Sequence, residues 1–181
     1  MLCHLFVVNF ISCSASAADR KLLSDFPQDR QYLDLVSSLA ATAMAILEAG
    51  TVPSMAIAGS QGTGKSTLAQ AVQILLRVQY AKQAVIFSLD DFYLTGAERQ
   101  QLGEQVHPLL KTRGAPGTHD LESMQRALTA LRAGGPAELP IFDKSRDDRV
   151  GITRAITQVD MTICEGWCWG ARPQELESLK A

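Results

Sequence analysis

Apolar positions recur along this chain at two spacings, and the places where the spacing changes divide it into elements. From Asp29 to Glu48, Leu33, Val36, Leu39, Ala40, Ala43, Met44 and Leu47 share one face of a helix, and Gly50 follows as its stop. The run Met55-Ala56-Ile57-Ala58 predicts a strand. Leu68, Val72, Leu75 and Leu76 then predict an amphipathic helix from Lys65 to Gln79, and Ala84 to Leu89 reads as a buried parallel strand. Strand, loop, helix and strand in that order make a right-handed βαβ unit, so an α/β fold with a parallel sheet is expected.

Further along, Thr95 to Gly117 is polar and irregular, with a helix-prone stretch from Gly96 to Gly103. The loop Lys111 to Gly117 is punctuated by Pro and Gly, as in surface loops that carry ligand contacts. Leu121, Met124, Leu128 and Leu131 form a second helical stripe that Gly134-Gly135 ends. Leu139 to Phe142 is a short extended piece, Asp143 to Gly151 is strongly charged, and Val159 to Cys164 is a further apolar strand. No internal repeat is visible.

Composition narrows the class. The 181 residues suffice for one domain with a real core and not for two of ordinary size. A net charge of −2 supplies no basic surplus for nucleic acid. Cys3, Cys13, Cys164 and Cys168 contain no C-x-x-C pair and read as reduced thiols; the histidines offer no spacing that would complete a metal site around Cys164 and Cys168. The first nineteen residues carry no Lys or Arg, although Leu5 to Ile11 is mostly apolar and Ala15-Ser16-Ala17 resembles a cleavage site. That run is too short to span a bilayer, which takes ~20 residues. Residues 1–28 are therefore read as an N-terminal extension, whether an added strand or helix, the product of a start codon chosen too far upstream, or a poorly formed targeting segment, and residues 29–181 as the domain.

The chemistry begins where the first strand ends. Gly59-Ser60-Gln61-Gly62-Thr63-Gly64-Lys65-Ser66 is G-x-x-x-x-G-K-[ST], followed by Thr67 at the start of a helix. Glycines let backbone N–H groups turn inward around phosphate oxygens, and the helix aims its positive end at the same place. Lys65 adds an ammonium for the β/γ-phosphates, and the Ser66 hydroxyl can ligate Mg²⁺. The expected fold is thus the P-loop NTPase three-layer sandwich, its ligand a nucleoside triphosphate.

Ligands of an open parallel sheet sit at the C-terminal strand ends. Two of those ends carry acids: Asp90-Asp91-Phe92-Tyr93 and Glu165-Gly166-Trp167. Phosphoryl transfer to a hydroxyl needs a carboxylate to accept the proton and an acid to hold or orient Mg²⁺. Glu165 suits the magnesium role. Asp90 and Asp91 suit the site, with capping of a following helix as the structural alternative.

These segments, with Arg113-Gly114 through Gly117-Thr118-His119-Asp120 and Leu139-Pro140-Ile141-Phe142-Asp143-Lys144-Ser145, resemble the D-glycerate 3-kinase family of P-loop kinases, within the group of uridine kinase, phosphoribulokinase and pantothenate kinase. The resemblance covers roughly residues 30 to 173. It implies ATP as donor, Asp90 as catalytic base beside Lys65, and Glu165 as the Walker B acid. It places Arg113, His119 and Asp120 in the acceptor-binding region, Asp143, Lys144 and Arg146 in the segment that closes over the acceptor, and Asp91 and Tyr93 beside Asp90 in the same site. A hydroxy acid needs a cation for its carboxylate, with Arg113, Lys144, Arg146 and Arg149 as candidates. Asp120 also precedes a helical stripe and is equally placed to cap it. The run Asp143 to Arg149 also reads as a solvated face.

Members of that family run well past Glu-Gly-Trp, so the chain is expected to lack about the last third, including the lid, with an exposed sheet edge and lowered stability. The expected function is ATP-dependent phosphorylation of a small acidic metabolite, D-glycerate first, in the cytoplasm, without nucleic-acid or membrane partners. The alternatives are a uridine or pantothenate-type kinase and a non-catalytic ATP-binding fragment. A signalling GTPase is disfavoured because no N-K-x-D element occurs.

Overall fold

The computed structural model describes residues 21, 24–49, 54–156 and 158–170. Most of the N-terminal extension, with Cys3 and Cys13, lies outside the described residues, as do Gly50 and the stretch after Gly170. The first helix, α1 (Arg30–Glu48), starts at Asp29, whose carboxylate accepts the Tyr32 N–H at 2.9 Å. It buries Val36, Ala40 and Ala43, one stripe of the predicted face. Strand β1 (Ser54–Ala58) leads through the glycine loop into α2 (Lys65–Tyr80), and β2 (Ala84–Ser88) follows.

Leu89 was expected to continue β2. Instead the chain tightens into a 3-10 turn at Leu89–Phe92, capped by Ser88 without a side-chain bond, so neither Asp90 nor Asp91 is a cap. Beyond it lie α3 (Gly96–Gln105), a second 3-10 turn (Pro108–Lys111) and α4 (Leu121–Arg132). The last strands are β3 (Ala137–Asp143), β4 (Asp148–Ile156) and β5 (Met161–Gly166).

The parallel sheet has the order β1-β5-β2, so the last strand is inserted between the two strands of the predicted βαβ unit. Its position explains why Met161 to Gly166 is buried without a break. Successive side chains alternate between two cores. Met55, Ile57, Ile86, Met161 and Ile163 pack under α1 and α2. Val85, Phe87 and Cys164 pack on the other face against Phe92, α4 and β3. Helices on one face, sheet, and helix plus hairpin on the other give the three layers expected of a P-loop fold. Among the described residues β1 and β2 form the edges, and Arg154 of β4 covers part of one by donating to the Ile86 carbonyl at 2.8 Å.

One expectation is corrected here. The charged run Asp143 to Arg149 is not simply a solvated face: it runs from the end of β3 through the turn of an antiparallel β3–β4 hairpin into the start of β4. Its polarity follows from its anchoring. Asp148 accepts the Gly96 N–H at 2.9 Å, and Arg149 donates to the carbonyls of Phe92 and Tyr93 and to Asp120. Ionic and main-chain bonds tie this hairpin down where an apolar run would otherwise be needed.

Candidate active site

The parallel register decides what meets at the top of the sheet. Glu165 on β5 lies level with Ile57 on β1 and Ser88 on β2. The residue is only 5% exposed, and Oε1 accepts the Ser88 hydroxyl at 2.5 Å and the Ser66 hydroxyl at 3.2 Å. Among the described residues no cation pairs with it. A buried carboxylate beside two hydroxyls is a hard oxygen donor set lacking its counter-charge, which fits Mg²⁺.

The loop before α2 takes the shape its glycines permit. Gly62 has φ +76° and Gly64 φ +81°, and no side chain caps the helix at Gly64. The first N–H groups of α2 are left for an anion. Thr63 Oγ1 and Lys65 Nζ both donate to the Ser60 carbonyl at 2.8 Å, so the lysine is held within the loop.

Loop, strand ends and hairpin enclose one cavity of 780 Å³. From the phosphate loop it is lined by Gln61, Gly62, Gly64, Lys65, Ser66 and Thr67; Gly59, Ser60 and Thr63 shape the loop from outside the lining. Asp90, Glu165, Gly166 and Trp167 line it from the strand ends, and Tyr93, Arg113 and Lys144 from the acceptor-side candidates. Lys144 Nζ lies 2.7 Å from Asp90 Oδ2, bringing the hairpin across to the candidate base. The Tyr93 hydroxyl is pushed up to about 12 by burial and by the neighbouring Asp90, so it stays protonated and can donate.

The remaining candidates do not line the cavity. Asp91 accepts the Phe142 N–H at 3.3 Å, and burial raises its pKa. His119 stacks on Tyr93 with ring centroids 4.2 Å apart, and burial lowers its pKa. Asp120 caps α4 by accepting the Ser123 N–H at 3.0 Å, and pairs with Arg149 at 3.1 Å. Burial pushes its pKa up, but these donors outweigh burial and leave it depressed. Asp143 accepts from the Ser145 hydroxyl and N–H and from the Arg146 N–H, closing the hairpin turn. Arg146 lies on that turn outside the lining. Of the cysteines, Cys164 is buried, with its thiol pushed up to about 11, while Cys168 is partly exposed. Among the described residues no His, Cys, Asp and Glu cluster forms a metal site of three or more such ligands.

Five cavity residues were not among the site candidates: Thr112, Gly114, Asp147 and, as neighbours of Glu165 in its own motif, Gly166 and Trp167. The first two lie in the Pro- and Gly-rich loop already marked for ligand contacts. Asp147 lay hidden in a run of like residues.

The cavity residues from Gln61 to Trp167 all fall within residues 54–173, the stretch matched by the sequence model of the phosphoribulokinase/uridine kinase family. The chain belongs to that family. It is similar to uncharacterized kinase mug58 of Schizosaccharomyces pombe, 37% identical over 66% of this chain and 47% of that protein. It is 35% identical to the probable ATP-dependent kinase TDA10 of Saccharomyces cerevisiae, over 64% of this chain and 45% of the relative. In structure it resembles D-glycerate 3-kinase from Cryptococcus neoformans, with a TM-score of 0.72 and 29% identity over 81% of this chain and 56% of the other. The chain spans about half the length of these curated relatives. No helix among the described residues is long and apolar enough to cross a membrane.

Proposed function

We propose that this chain carries the site of an ATP-dependent kinase that moves a γ-phosphoryl group to a hydroxyl of a small acidic metabolite, with D-glycerate as the first candidate. The observation that carries the reading is the convergence of the buried Glu165, the Ser66 hydroxyl bonded to it, Lys65 and Asp90 on one cavity. The α2 N–H groups and Lys65 would bind the triphosphate. Bound Mg²⁺, held by Ser66 and Glu165, would neutralise charge on the β- and γ-phosphates. Asp90 would take the proton from the acceptor hydroxyl, with Lys144 and Tyr93 holding its carboxylate meanwhile. An acidic acceptor is favoured by Arg113 on the cavity wall, and by the likeness to a D-glycerate 3-kinase. Such a site would serve a soluble small-molecule enzyme of the cytoplasm.

The test is ADP release by the full chain with ATP and Mg²⁺ across D-glycerate, pantothenate, uridine and glycerol. Acceptor-dependent release with D-glycerate supports the reading. Release with uridine alone rejects the acidic acceptor, and tight ATP binding without release under any condition rejects phosphotransfer by this chain.

A further inference from the structure

Behind Arg113 on the cavity wall stands a cluster whose other members, Arg99 and Asp147, have no part in the transfer outlined above. Arg99, on α3, is 1% exposed, and its Nη2 donates to the Asp147 carbonyl and meets the Asp147 carboxylate Oδ2 at 3.0 Å. Arg113 Nη1 donates to the other carboxylate oxygen, Oδ1, and to the Lys144 carbonyl at 3.2 Å. Both guanidiniums lie against the Phe142 ring, 5.6 and 5.7 Å from its centroid. Burial works against the Asp147 anion, but the two arginines outweigh it and keep its pKa low. One carboxylate thus bridges two cations, and the cluster keeps a surplus positive charge.

That surplus has a direction. Arg99 Nε and Nη1 are buried without partners, a costly arrangement that an apolar residue at position 99 would avoid, so stability alone does not account for an arginine there. Arg113 is different: its Nε and Nη2 have no protein acceptor among the described residues, yet they are not buried, and the side chain lines the cavity. The other cations that line the cavity are committed, as is Arg149, while Arg146 lies outside the lining. Lys144 pairs with Asp90, Arg149 with Asp120 and two carbonyls, and Lys65 with the Ser60 carbonyl. A guanidinium pinned at one nitrogen offers the edge formed by its other two in a fixed plane, the geometry that grips a carboxylate with two bonds at least entropic cost.

We infer that Asp147 and Arg99 are positioning residues that hold Arg113 so that its free edge takes the carboxylate of the acceptor. The word acceptor rests on the kinase reading; the carboxylate site does not.

Calorimetric titration of D-glycerate, pantothenate and glycerol into the full chain, saturated with Mg²⁺ and a non-hydrolysable ATP analogue, tests this. At least one of the two acids binds and glycerol does not, and Arg113→Ala abolishes acid binding. Asp147→Asn, at a hairpin position of φ +52° that asparagine tolerates, weakens the acid about tenfold and leaves the ATP analogue within about twofold. Arg99→Lys keeps the charge and retains part of the affinity. Binding of neither acid, equal binding of glycerol, or Asp147→Asn weakening acid and nucleotide alike each overturns the inference. A parallel ADP-release assay separates the two ideas. Turnover whose acid KM ignores Asp147→Asn sinks the positioning role and spares the kinase reading; Arg113-dependent acid binding without ADP release does the reverse.

Discussion

Ser66 and Glu165 stand 99 positions apart and are joined by one hydrogen bond of 3.2 Å from the serine hydroxyl to Oε1. The bond exists because β5 slots between β1 and β2, carrying Glu165 to the mouth of the loop whose helix begins at Lys65. Glu165→Gln keeps the shape but removes the charge. Turnover is expected to fall at least about a hundredfold, with the Mg²⁺ concentration for half-maximal rate raised. Steady-state rates across a Mg²⁺ series check this, and an unchanged Mg²⁺ dependence rejects the metal role.

Asp90→Asn retains a side chain that Lys144 can approach but cannot accept a proton from an alcohol. Turnover should drop by ~10²–10⁴ while ATP affinity is preserved. Lys65→Ala should instead weaken ATP binding. Measuring both variants by nucleotide titration and by ADP release separates the roles, and a fully active Asp90→Asn chain removes the base.

Asp120 predicts an acid-sensitive stability. Its folded pKa is depressed below the usual 3.8, so its contribution is present above that pH and is lost as pH falls through the folded value. Asp120→Ala also removes a helix cap and leaves Arg149 without its anion, costing about 1–3 kcal/mol at pH 7. Denaturant melts at pH 7 and pH 3 should show the gap between parent and variant shrinking in acid. Asp91 has the opposite sign: burial raises its pKa, so its charged form costs stability at neutral pH, and Asp91→Asn should raise the melting temperature there.

Gly166 follows the metal candidate and admits no larger residue. A Cβ there would lie 2.6 Å from the Leu89 Cβ and 3.0 Å from the Trp169 ring. Gly166→Ala should cost about 1–3 kcal/mol and, by pushing Leu89, disturb the neighbouring Asp90. Chemical denaturation beside turnover tests this; an alanine variant equal to the parent in both would show that the strand end yields freely.

Much of the fold was readable from local pattern. The stripe Val36, Ala40, Ala43 and the buried run of β2 were predicted within one or two residues, because each reports a periodicity set over a few turns or one strand. β4 was missed: its residues give no continuous apolar run, and its anchors are Asp148, Arg149 and the backbone of a distant turn. Asp91 and Asp120 illustrate the same limit at the site. Each has a residue type suited to chemistry, yet one is spent on the Phe142 N–H and the other on a helix cap and Arg149.

By itself the sequence determined the phosphate loop, the acids that follow two of the strands, and the order of the helices and strands other than β4. Those signals are local, written in glycine spacing and hydrophobic period. Only the tertiary structure decided which charges share the cavity. Lys144 reaches Asp90, and Asp147 bridges Arg99 and Arg113, because the hairpin folds back over the strand ends and its polar bonds, invisible to periodicity, choose the partners of these charges.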